Sequence, residues 1–258
     1  MTIRNFIKFI EGWLGKLNFE EGLLHGNTAS RIKGITVCWM ATEKTIASAV
    51  KRRHNLVIVH EDLLFPPGYA SSDSANLTEK PGIVSAKRIA LLQENSISVL
   101  RLHSLTDRHF VLDTLSDILS LGEPLVKKGL QRVYEIKPVA MEKFAADIRK
   151  KLGVSHVRVM GNPSKKVKRI GGLWGGVGLS INAGFINNIL AYKIDTAVAG
   201  EVDEYTMRAF SDMGIGMVEI GHEKSEEPGL MHFADTLKEK LKNMPVHYSG
   251  DKESWRLL

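Results

Sequence analysis

The regular alternation of apolar strand-like runs with segments of helical period is what most restricts the fold open to this 258-residue chain. Ile35–Met40 precedes a helical segment over Thr42–Arg53, which Thr42 can N-cap. Leu56–His60 reads as the next strand, and Ser85 as the cap of a helix running to Asn95 beyond a Pro/Gly/Ser-rich loop at 66–82. Ser98–His103 is strand-like, a helix is expected near Phe110–Leu121 with Gly122 ending it, and 123–133 reads as a connection. The second half repeats the rhythm. Strands are expected at Tyr134–Val139, Val157–Met160, Arg169–Trp174, Asp195–Ala199 and Gly216–Ile220, and helices at Met141–Leu152, Gly184–Tyr192, Glu204–Met213 and Leu230–Leu241. Such alternation predicts α/β units around a largely parallel or mixed sheet, and the length allows one large domain or two small ones.

The remaining composition excludes more than it assigns. No apolar run approaches bilayer-spanning length, and the first fifteen residues set Arg4, Lys8 and Glu11 inside an apolar pattern. That is the pattern of an amphipathic helix and not of a signal peptide, so a soluble cytoplasmic protein with no membrane partner is expected. The single cysteine, Cys38, rules out an intrachain disulfide framework and sits in an apolar run as a core residue would. The net charge of +6 is mild. The basic run Ser164–Arg169 is too short to make a nucleic-acid footprint.

Open α/β sheets present ligand sites beyond the carboxyl ends of their strands. Several predicted strands end in polar chemistry there: His60-Glu61, His103 with Asp107 four residues on, Gly200-Glu201, and Gly221-His222 with Glu226 four residues on. Each alone has an ordinary reading as a loop or capping residue. Together they form an imidazole–carboxylate set suited to Zn, Fe or Mn. The glycine-rich stretch Gly171–Gly178 lacks the ending of a P-loop and the spacing of a dinucleotide fingerprint, and reads as a close backbone turn beside the site. His25, His54, His156 and His247 lack a carboxylate at suggestive spacing, His232 reads as structural, and His109 as a supporting or helix-start residue.

These motifs, in this order, resemble the Nif-three-like dinuclear-metal-centre family, whose members are often labelled type 2 GTP cyclohydrolase homologues. The family's strand ending in His-His-Pro is matched by Val59-His60-Glu61 with Phe65-Pro66 after it. Its His-x-x-x-Asp is matched by His103–Asp107, and its Gly-His-x-x-x-Glu by Gly221–Glu226. Ala183-Gly184-Phe185 through Ala199-Gly200-Glu201, and Glu21–Asn27, fit further family stretches. The chain departs from the pattern at Glu61, which stands where the family has a second histidine. It departs again after Asp107, where a glycine-rich stretch is replaced by Arg108-His109-Phe110-Val111, and at Val202–Tyr205, where many members carry Lys-His-His.

The resemblance implies two α/β lobes, 1–128 and 129–258, with mixed sheets packed around a shared metal site in one compact unit, without the inserted domain of longer members. It implies that His60, Asp107 and Glu226 hold one ion, and Glu61, His222 and Glu226 a second. It further implies a metal-dependent hydrolase acting on a phosphorylated or nucleotide-like small molecule, and a homo-oligomer, commonly a hexamer. Glu201 and His103 are then the candidates for proton transfer. Two other readings stay open from the residues: a metal-binding scaffold or regulator without turnover, favoured by Glu61, and a metal-free α/β binding protein.

Overall fold

The computed structural model describes residues 1–65 and 82–251, so the expected loop at 66–82 lies outside the described residues except for Gly82. The chain divides into two compact units, Met1–His109 with Leu230–Leu258, and Phe110–Gly229.

In the first unit, Thr2 accepts from the Asn5 amide and so starts α1 (Ile3–Leu14), which buries Ile3, Phe6, Ile10 and Leu14 along one stripe. The strands β1 (Gly22–His25), β2 (Ile35–Cys38), β3 (Leu56–Val59) and β4 (Ser98–Arg101) form a sheet in the order β1-β4-β3-β2, and Val246–Tyr248 adds beyond β2. β2, β3, β4 and Val246–Tyr248 run parallel, and β1 runs antiparallel to β4. Every residue of β2, β3 and β4 is buried, as expected for parallel strands covered on both faces. The helices are α2 (Glu43–Lys51), capped by Thr42 as expected, and α3 (Ile83–Glu94). Ser85 does not cap α3. The helix starts two residues earlier, and the Ser85 hydroxyl instead takes the Phe65 amide at 2.8 Å. Cys38 is buried in the cluster with Ile46, Val57, Val59 and Leu92.

The helix expected from Phe110 begins earlier. Ser104–Thr106 forms a single turn, α4, and Asp107–Val111 a π-helical turn. In the second unit α5 (Leu112–Leu119) follows directly, and Ser120 closes it in the left-handed region at φ 57°, a role expected of Gly122. The expected connection 123–133 contains β5 (Val126–Lys128) and the turn that pairs it with β6 (Gln131–Ala140), the strand expected at Tyr134–Val139. α6 (Met141–Leu152) matches its expected bounds. β7 (Arg158–Met160), β8 (Lys166–Leu173), β9 (Thr196–Ala199) and β10 (Gly216–Glu219) complete a six-stranded sheet ordered β5-β6-β8-β9-β10-β7.

Within that sheet β8, β9 and β10 are parallel and the outer pairings antiparallel. Alternate residues serve opposite faces. Val198 and Val218 pack with α5 and α6 residues such as Leu115 and Phe144, while Ala197 and Met217 pack with Ile186 of α7 (Ala183–Leu190) and Phe210 of α8 (Glu204–Asp212). The last helix, α9 (His222–Lys240), starts eight residues before the expected Leu230 and carries Pro228 within it. Within the basic run, Lys168 and Arg169 pair with Glu135 on β6, at 3.2 and 3.0 Å. Among the described residues, no helix is long and apolar enough to cross a membrane.

Candidate metal centre

In the first unit the pairing Val59↔Arg101 ends β3 and β4 level with each other, so His60-Glu61 and Leu102-His103 leave the sheet at the same edge. His60 is 1% exposed. Its Nδ1 lies 3.0 Å from Thr106 Oγ1. That hydroxyl has one proton, which it gives to the carbonyl of Leu102 or His103, each 2.8 Å away. It therefore accepts from His60 Nδ1–H, which leaves the Nε2 lone pair as the ligating side of the ring. His60 Nε2 stands 3.5 Å from Asp107 Oδ1.

Glu61 is buried as well, between two nitrogen-bearing groups. Arg101 Nη2 lies 3.8 Å from its Oε2 and His103 Nε2 3.8 Å from its Oε1. The His103 ring packs on His60 with centroids 4.5 Å apart, and its Nδ1 meets Glu20 Oε2 at 3.2 Å. Glu21 holds this turn from the other side by accepting from the amides of His103 and Leu105, both at 2.9 Å. One donor atom each from His60, Glu61 and His103 lies within 4.8 Å of the others.

In the second unit β9 and β10 are paired in register, so Gly200-Glu201 and Gly221-His222 also leave at one edge. His222 and Glu226 sit one turn apart at the start of α9, with His222 Nε2 3.5 Å from Glu226 Oε1. Glu201 Oε2 lies 3.0 Å from His222 Nδ1. An ionised carboxylate only accepts, so Nδ1 carries the proton, and Nε2 is the ring atom turned to the Glu226 carboxylate, as it would be in a ligating histidine.

The glycine-rich turn packs against this pair. Gly175 has φ 58°, and a Cβ there would overlap Glu226 Oε1 and come within 3.3 Å of His222 Nε2. Its amide donates to Ser225 Oγ at 2.8 Å, and Ser225 donates to the His222 carbonyl at 2.7 Å, which fixes the turn to the helix start.

The donor set fits a divalent cation. Two donors bonded at about 2.1 Å to one tetrahedral ion stand about 3.4 Å apart, close to both imidazole–carboxylate separations. In each pair the far ring nitrogen is already engaged, the arrangement usual for a ligating histidine. The structure thus groups His60, Glu61, His103 and Asp107 in one unit, and Glu201, His222 and Glu226 in the other. His109 turns elsewhere, its Nε2 against the Leu14 carbonyl at 2.9 Å. Sequence reasoning missed Thr106, Arg101, Glu20 and Ser225, which hold the candidates in place. Only the strand-end position of Arg101 and the capping potential of Thr106 offered a signal.

Comparison with known proteins identifies relatives over nearly the whole chain. The family profile described as Duf34/NIF3 (NGG1p interacting factor 3) matches residues 1–253. A Clostridium perfringens protein named GTP cyclohydrolase 1 type 2 homolog is 24% identical over 271 residues, covering 98% of this chain and 97% of that one. Among solved structures, the Staphylococcus aureus protein SA1388 superposes with a TM-score of 0.82 at 16% identity, covering 100% of this chain and 99% of the other. A Bacillus cereus protein related to NIF3 superposes with a TM-score of 0.80 at 15% identity, over 100% and 99% of the two chains. With a profile match over nearly its whole length, this chain belongs to the DUF34/NIF3 family.

Proposed function

We propose that the chain is a divalent-metal-binding protein with a dinuclear centre, and that it acts as a metal-dependent hydrolase on a phosphorylated or nucleotide-like small molecule. The proposed ligands are His60, Glu61, Asp107, His222 and Glu226, for Zn, Fe or Mn. The observation that carries this reading is the repeated pair: a histidine whose Nδ1 is engaged by Thr106 or Glu201, and whose Nε2 stands 3.5 Å from a carboxylate oxygen. Bound divalent cations would supply the Lewis acidity that hydrolysis at a phosphoryl or ring-carbon centre requires. Around them, Thr106 and Glu201 orient the ligating rings, Gly175 leaves room beside Glu226, and His103, held by Glu20, is the group placed to move a proton. The GTP cyclohydrolase label of the relatives names one candidate nucleotide substrate, and a homo-oligomer such as a hexamer follows from the family resemblance.

Elemental analysis of protein purified without chelator tests the proposal. Two ions per chain in wild type, reduced to one or fewer in Asp107→Ala and Glu61→Ala, would support a dinuclear centre. No metal above background after reconstitution with Zn, Fe or Mn would overturn it. A second reading, a metal-binding scaffold without turnover, draws on Glu61 facing the Arg101 guanidinium. A stoichiometric metal with no hydrolysis across a panel of phosphate esters and nucleotides would favour it.

A further inference from the structure

The carboxylate of Glu61 is 6% exposed and the Arg101 side chain 4% exposed, so both charges are withdrawn from water. Buried charges of this kind persist only with compensation close by. Arg101 is held for that purpose by more than Glu61. Its Nε donates to the His60 carbonyl at 3.0 Å, and its Nη1 to the Glu20 carbonyl at 3.5 Å. The guanidinium is therefore fixed by backbone acceptors on two segments while it faces the Glu61 oxygen at 3.8 Å. Arginine does not lose its proton in proteins, so this positive charge is permanent. His60 Nε2 and Asp107 Oδ1 stand 3.5 Å apart, a separation that a single ion bonded to both would span.

We propose that Arg101 acts as a built-in cation at the Glu61 side of the site and makes metal loading unequal. One divalent ion binds tightly at the position served by His60 and Asp107. A second ion drawing on Glu61 binds more weakly, because it must share that carboxylate with a fixed guanidinium and approach its charge. This inference rests on the metal-binding reading above and deepens it by assigning the order of loading to one residue outside the ligand set. A guanidinium and a divalent ion held on the same carboxylate repel strongly enough to weaken the second ion on the order of tenfold or more.

The test is a competition titration with a chromophoric chelator, using Zn alone as the probe, on metal-free wild type, Arg101→Gln, Arg101→Lys and Glu61→Gln, with thermal melting to confirm folding. The expected result is one tight and one weaker ion in wild type. Arg101→Gln narrows the gap at least tenfold, Arg101→Lys, which keeps the charge, leaves it wide, and Glu61→Gln removes the weaker ion while sparing the tight one. Two ions of indistinguishable affinity in wild type overturn the proposal without any variant. An unchanged gap in Arg101→Gln, or a lysine variant that behaves like the glutamine one, also overturns it, the latter by showing a structural role alone. Wild type that binds no Zn refutes the metal-binding reading itself, a distinct outcome.

Discussion

Replacing Gly175 by alanine tests whether the glycine-rich turn is shaped by the His222–Glu226 pair or only by its own backbone. Gly129 provides the control, since the two glycines share nearly the same left-handed backbone, φ 58° and 56°, and belong to the same unit. A Cβ on Gly129 meets nothing within 4 Å, whereas one on Gly175 overlaps Glu226 Oε1. The left-handed conformation costs an L-residue about 1–2 kcal/mol, and both alanine variants incur it. At roughly 2–4 °C per kcal/mol for a chain of this size, Gly129→Ala should melt about 2–8 °C below wild type. Gly175→Ala adds an overpacking cost of about 1–3 kcal/mol, because the Glu226 carboxylate must move.

The same displacement moves a proposed ligand. Metal affinity of Gly175→Ala should fall by about 10–100-fold, the usual range when the support of a ligand is disturbed, while Gly129→Ala binds as wild type does. Thermal melting of the metal-free proteins and chelator competition with Zn measure the two effects separately. Equal melting temperatures for the two variants, with equal metal affinity, would refute the claim that Gly175 is required by the side chains facing it.

Thr106→Val keeps the shape of the side chain but removes the acceptor of His60 Nδ1–H; it should cost about 1–3 kcal/mol in denaturant unfolding, and Thr106→Ser should restore most of it. Asp203, the N-cap of α8, is raised by burial but pulled down further by the Ser180 hydroxyl and the Thr206 and Ser180 amides, to a pKa of about 2. Its folded value lies below the unfolded value of about 3.9, so its stabilisation is present above that pH and is lost as pH falls toward about 2. Asp203→Ala should cost about 1 kcal/mol at neutral pH, and Asp203→Asn should flatten this acid limb of a urea-unfolding series. Burial lowers the His54 pKa, helped by the charges of Arg52 and His247. The unfolded chain then takes up the proton first, so stability declines as pH drops below about 6.5, and His54→Gln should flatten that decline.

The element order was legible because the parallel strands are apolar on both faces and their helices carry clear caps. Thr42 is a case where a hydroxyl four residues before a buried position marked the helix start. The errors fall where local signals mislead. Pro228-Gly229 reads as a break, yet α9 runs through it, and a Cβ on Gly229 would strike the Val111 backbone. The glycine is there for close approach, so the sequence signal for a helix end was in fact a packing signal. β5 and the turn that joins it to β6 were hidden by Lys127-Lys128-Gly129-Leu130, which lack an apolar alternation. The candidate site was legible as strand ends, because pairing in register delivers neighbouring strand ends to one edge. The aiming of the side chains was not. Asp107 opens a π-helical turn that no residue pattern announced, and such turns recur where a side chain must be redirected.

The tautomers give the metal reading its physical weight. A neutral imidazole whose Nδ1–H is engaged presents only a lone pair at Nε2, and a lone pair 3.5 Å from an ionised carboxylate is repulsive. A cation bound to both atoms would turn that repulsion into attraction. At His60, which is 1% exposed, the Nδ1 partner Thr106 is a neutral hydroxyl. His222 differs, because the carboxylate of Glu201 stands at Nδ1, where it strengthens Nε2 as a ligand. The two pairs therefore need not behave alike: Glu201→Gln should weaken Zn affinity, measured by chelator competition, by about 10–100-fold, a larger loss than Thr106→Val causes.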